Sequence, residues 1–188
     1  MAVKPREGVR DEYAAHPEGA DGWYRDHGAT YRNPHEDAVG EVLALAVTWW
    51  PTAFAGRVLD LSCGSGEATL ALRAAGVNAQ DIDACDPYTA EAFQARVGRP
   101  IEPWSFTDIA DGALVGRAYS AVVCSYALHL CEPSWLPKVC HALALAAPAL
   151  IIVTPHKRPE IRPDFGWDLI DDHRDISLRV RLRLYEAN

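Results

Sequence analysis

The run Val58-Leu59-Asp60-Leu61-Ser62-Cys63-Gly64-Ser65-Gly66 constrains this chain more than any other. An apolar strand from Arg57 runs straight into a turn carrying two glycines one residue apart, and a helical stretch, Glu67 to Ala75, follows at once. Glycine accepts turn dihedrals that other residues resist, and it has no Cβ to keep a ligand away. The amides at the start of the helix are then free to face that ligand. Strand, glycine turn and helix in this order make a cradle of nucleotide size.

The rest of the chain repeats the unit. Expected strands at 57–62, 79–85, 101–105, 119–125 and 149–154 alternate with expected helices at 67–75, 88–97, 108–116 and 133–146. Near-continuous apolar strands joined by helices predict a parallel sheet covered on both faces. A further helix, from about His35 to Trp50, precedes the first strand and is stopped by Pro51. Two strands close the chain, at 165–171 and 177–185. In the second, Leu178, Val180, Leu182 and Leu184 alternate with Arg179, Arg181 and Arg183, which predicts a half-solvated strand. Residues 1–20 are polar and aperiodic and are expected to be a flexible N-terminal segment; 21–188 are expected to form one domain.

Composition narrows the function. The formal charge is −8, which argues against an extended phosphate-binding surface and so against a nucleic-acid partner. No apolar stretch reaches the ~20 residues of a membrane span, and a cytoplasmic location is expected. The five cysteines are odd in number and include no Cys-x-x-Cys pair, so neither a disulfide framework nor a metal site is expected.

The turn itself separates two ligand classes. A dinucleotide site favours a small residue at position 69, where this chain has Thr69, and Asp60 repels a pyrophosphate. A carboxylate there suits a ligand with ammonium or sulfonium charge. On these residues the chain resembles the class I S-adenosylmethionine-dependent methyltransferases, with Ser62 standing where their first motif has its first glycine. The runs Tyr31–Glu36, Thr154–Pro159, Gly166-Trp167 and Arg181–Tyr185 extend the likeness to a group of short bacterial and fungal proteins of that kind. The resemblance implies a Rossmann-like α/β fold, with a seven-stranded, mostly parallel sheet of order 3-2-1-4-5-7-6 and helices on both faces.

It also implies a cofactor, S-adenosyl-L-methionine, and a set of residues to hold it. Ser62, Cys63, Gly64 and Gly66 form the loop, with Asp60 behind it. Asp86, followed by Pro87, ends the second strand and accepts the ribose hydroxyls; Asp81 and Asp83 compete for that role, and Asp86 reads equally as a helix-start carboxylate. Asp108 and Ile109 are placed at the adenine, although Asp108 also reads as a helix cap. Ser125 approaches the methionine portion, and Tyr31 or Arg32 its carboxylate. On the acceptor side stand Tyr126, His129, His35 and His156, with His129 the first candidate for a general base.

The absence of an Asn-Pro-Pro-Tyr run after the fourth strand points to a small-molecule O, N or S nucleophile as methyl acceptor. A monomer or homodimer is expected. Two alternatives stay open: a non-catalytic or partner-dependent subunit of the same fold, and an NAD(P)-binding oxidoreductase.

Overall fold

The computed structural model describes residues 9–155 and 157–188. Two helices, α1 (Val9–Ala15) and α2 (Gly19–His27), lead through a short connection into α3 (Glu36–Trp49). The alternating part follows: β1 (Val58–Leu61), α4 (Glu67–Ala74), β2 (Ile82–Cys85), α5 (Ala90–Val97), α6 (Phe106–Ala110), β3 (Ala121–Ser125), α7 (Leu136–Ala146) and β4 (Ala149–Thr154). The chain ends in β5 (Trp167–Asp175) and β6 (Val180–Ala187).

These strands form one six-stranded sheet in the order β2-β1-β3-β4-β6-β5. The first four are parallel, with Asp60 of β1 level with Ala84 of β2 and Val123 of β3. Strand β6 pairs antiparallel with both β4 and β5. The period-two side-chain alternation splits the core between the two faces. Leu59, Leu61, Val122, Cys124, Leu150 and Ile152 face α6 and α7, whereas Val58, Val123, Ile151, Val153, Leu182 and Leu184 face α3 and α4. In α7 the buried residues Leu136, Val139, Cys140, Leu143 and Ala146 recur at helical spacing, so a single stripe meets the sheet.

Three expectations change. The third strand, 101–105, reduces to a single parallel bridge between Cys85 and Glu102, so the sheet has six strands and not seven. Pro103, directly after the bridge, has no N–H with which to extend the ladder. The helix expected at 108–116 is Phe106–Ala110, started by Ser105. Arg183 is 4% exposed, because β6 lies between β4 and β5 with both faces covered; its Nη1 donates to the Pro159 carbonyl and the Tyr185 hydroxyl.

Within residues 1–20, α1 forms. The Tyr13 ring packs edge-on against Trp23 and stacks on Tyr24, each at 6.0 Å. Among the described residues, no helix is long and apolar enough to cross a membrane.

Candidate functional site

At the C-terminal end of β1 the backbone turns through Ser62 (φ 55°), Gly64 (φ 54°) and Gly66 (φ 93°) before α4 begins. Ser62 keeps a left-handed conformation without being glycine. The two glycines do different work. A Cβ on Gly64 would stand 2.9 Å from Cε1 of Tyr31, so the missing side chain lets the segment before α3 lie across the loop. A Cβ on Gly66 would stand 2.5 Å from Val97 Cγ2, so here glycine permits close packing of the loop on α5.

The neighbouring strand end locks this loop. Cys63 N donates to the Cys85 carbonyl at 3.0 Å. Gly64 N donates to Asp86 Oδ2 at 3.2 Å, and the Thr89 hydroxyl donates to the Gly64 carbonyl at 2.7 Å. Asp86 Oδ1 accepts from the amides of Tyr88 and Thr89, at 2.9 and 3.1 Å. Asp86 therefore ties down the turn before α5, as a helix-start carboxylate does, and it also lines the cavity. Burial raises its pKa above the ordinary carboxylate value, against the lowering effect of those amides.

A cavity of about 300 Å³ opens over the C-terminal ends of β1, β2 and β3. This is where an open parallel sheet binds ligands. Ser62, Cys63 and Gly64 form its floor; Asp86, Pro87 and Tyr88 one wall; Ser105, Phe106 and Thr107 another. Ser125, Tyr126 and Ala127 follow from β3, with Leu130, Cys131, Glu132 and Trp135 beyond them. Tyr24, Tyr31 and Asn33 close it from the N-terminal side, beside Glu67. Tyr24 and Tyr31 meet at 5.3 Å between ring centres, and burial pushes both phenols well above their ordinary pKa.

The expected site residues divide. Tyr31, Ser62, Cys63, Gly64, Asp86, Pro87, Ser125 and Tyr126 line the cavity. Asp60 is fully buried beneath it: Oδ2 accepts from Thr69 N at 2.9 Å and Thr69 Oγ1 at 2.6 Å, while Oδ1 has no partner among the described residues. Burial drives the pKa of Asp60 up to about 7. Gly66 serves packing, as above. Arg32 is largely exposed and pairs with Glu36 at 3.4 Å, away from the lining.

Asp108 and Ile109 are likewise not among the lining residues. Asp108 and Ser105 form a reciprocal capping box at the start of α6, and Ile109 lies in the core under α7. Phe106 and Thr107, two residues earlier, face the cavity instead.

The acceptor-side group is divided too. His35 stacks on Tyr126 at 4.9 Å and 16°, and burial lowers its pKa, so the ring is neutral near pH 7. His129 sits in the short turn Leu128–Leu130 and is not among the lining residues. His156 lies outside the described residues. Burial pushes the Tyr126 phenol up to about 12, so it is protonated at neutral pH.

Sequence reasoning missed Glu67, Asn33 and Arg96. Glu67 reads as an ordinary acidic residue in a first helical turn, yet it lines the cavity at 4% exposure. Besides the adjacent Ser65, its partners come from 34 residues before and 29 after, a separation that local patterns do not encode.

No protein-family model matches the chain. Solved structures similar to it include magnesium protoporphyrin IX methyltransferase (ChlM) from Synechocystis with S-adenosylhomocysteine bound. The TM-score is 0.60 and the identity 18%, over 96% of this chain and 98% of that one. An S-adenosylmethionine-dependent methyltransferase from Clostridium acetobutylicum gives 0.60 and 12%, over 91% and 98%. Mitomycin 7-O-methyltransferase MmcR gives 0.63 and 13%, over 96% of this chain but 61% of that one. The fold is that of the class I S-adenosylmethionine-dependent methyltransferases. Among curated proteins, the uncharacterized protein C17A5.05c of Schizosaccharomyces pombe is 33% identical over 199 aligned positions, covering 85% of this chain and 79% of that protein. The chain belongs to one family with it.

Proposed function

We propose that this chain is an S-adenosylmethionine-dependent methyltransferase acting on an O, N or S nucleophile of a small molecule. One observation carries the reading. The described lining of the cavity holds four carboxylates, Asp21, Glu67, Asp86 and Glu132, and no Lys, Arg or His. A pyrophosphate would meet like charge from wall to wall, whereas a sulfonium and an ammonium meet opposite charge. The solved relatives support the reading at the level of fold, and two of them act on small molecules by name.

Asp86 would accept the ribose hydroxyls, the Ser62–Gly64 loop would take the thioether and methionine portion, and Ser105, Phe106 and Thr107 would border the base. Bound there, S-adenosylmethionine supplies a methyl group already activated by the sulfonium. The chain then contributes orientation of the two reactants and exclusion of water. Tyr126 is the expected acceptor-side side chain that borders the cavity, with the neutral His35 ring stacked behind it. A protonated phenol there donates a hydrogen bond to the acceptor and positions it.

Calorimetry with S-adenosylhomocysteine and with NADH tests the cofactor. Binding of the first and not the second is expected, and the reverse would return the oxidoreductase reading. A screen of small hydroxyl, thiol and amine compounds with methyl-labelled cofactor then tests the acceptor class. If cofactor binds but no compound is methylated, the partner-dependent reading replaces this one.

A further inference from the structure

Two carboxylates are deeply buried in the cavity wall, and their surroundings differ. Both oxygens of Asp86 are taken by backbone amides. The Glu67 side chain is 3% exposed, and the three hydrogen bonds to it all fall on Oε1. They come from Asn33 N at 3.0 Å, Ser65 Oγ at 2.5 Å and Arg96 Nη1 at 3.1 Å. Oε2 receives no hydrogen bond from the described residues. It lies 3.1 Å from where a Cβ on Gly64 would be, on the cavity side of the loop.

Charge points the same way. Arg96 also donates to Ser65 Oγ and pairs with Glu36, which Arg32 pairs with as well, and the described cavity lining holds four carboxylates and no Lys, Arg or His. A carboxylate oxygen that borders a cavity and takes no hydrogen bond from the described residues is open to a donor on a ligand, and a cationic donor suits it best.

We propose that Glu67 recognises a primary ammonium group, the α-amino group of the ligand's amino-acid portion. Arg96 is the positioning residue that holds both this carboxylate and the Asn33 segment in register. The inference rests on the S-adenosylmethionine reading above and adds a recognition residue to it. Lysine at position 96 would keep the charge but lose the forked geometry that reaches Ser65, Glu67 and Glu36 together.

The test uses calorimetry with two nucleosides, S-adenosylhomocysteine and 5′-methylthioadenosine; the second lacks the amino-acid portion. Glu67→Gln should weaken S-adenosylhomocysteine by about 10- to 100-fold, the scale of one charge-assisted hydrogen bond, and leave 5′-methylthioadenosine nearly unchanged. Arg96→Lys should show the same selectivity with a smaller loss. Equal losses for both ligands would mark a purely structural role and overturn the proposal, as would no loss for either. Should the Gln variant not fold, the wild-type protein decides alone. The analogue of S-adenosylhomocysteine with hydrogen in place of the amino group should bind about 10- to 100-fold more weakly, and equal affinity overturns the assignment. If the wild-type protein binds none of these nucleosides, the cofactor reading itself falls, and this inference with it.

Discussion

Asp86 and Asp60, both acids at the ends of neighbouring strands, do opposite things. Asp86 spends its oxygens on three amides and still borders the cavity, so Asp86→Ala removes ligand contact and loop support together. The affinity for S-adenosylhomocysteine should fall by about one to two decades, and stability should fall by roughly 1–3 kcal/mol. Titration calorimetry and a melting curve read the two separately, and a folded variant with wild-type affinity would remove Asp86 from the site.

Asp60 is different, since its pKa is raised from 3.8 to about 7 chiefly by burial. The native state then holds a proton that the unfolded chain has released, so stability drops as pH rises through this window. Melting temperature should decline between pH 4.5 and 7.5, and the decline should be shallower in Asp60→Asn. Parallel profiles for the two proteins would show that another group is responsible.

At the scale of elements, helices and strands differ in how plainly the chain announces them. The runs Val58–Leu61, Ala121–Ser125 and Ala149–Thr154 are apolar apart from Asp60, Ser125 and Thr154, and each is a buried strand at its expected place. The arginines of β6 misled, because alternation reports a pattern and not whether a strand is at the edge or inside a sheet. Asp108 and Ile109 stand two places beyond the lining: Ser105 caps α6 with Asp108, and Phe106 and Thr107 border the cavity. The Glu67–Arg96–Glu36 set was illegible because it joins three separate helices.

The N-terminal helices are held by rings, which makes their attachment testable. Each aromatic pair contributes about 0.5–1.5 kcal/mol, so Tyr13→Ala should let α1 and α2 open more readily. Hydrogen exchange should speed up across those helices and stay slow in α7; uniform acceleration would contradict a local attachment.

For the whole molecule, a cavity built from three strand ends and the N-terminal segment couples ligand binding to folding. A ligand at one hundred times its dissociation constant adds about 2.7 kcal/mol to the native state. For a chain of 188 residues that corresponds to roughly 5–10 °C in melting temperature. S-adenosylhomocysteine should produce such a rise, and NADH should produce none; a shift with NADH alone would reverse the assignment of ligand class.

The resting of Tyr31 on bare Gly64 has a kinetic side. A notch made by an absent side chain lets the segment seat closely over the floor of the cavity, and Asn33 and Glu36 fasten it to Glu67 and Arg96. Whatever lies beneath leaves when that seat comes undone, so residence time is set by the fastening and not by contacts to the ligand alone. Stopped-flow displacement of S-adenosylhomocysteine should therefore be faster in Glu36→Gln, whose side chain does not line the cavity. An unchanged dissociation rate would mean that the ligand escapes past a segment that never moves.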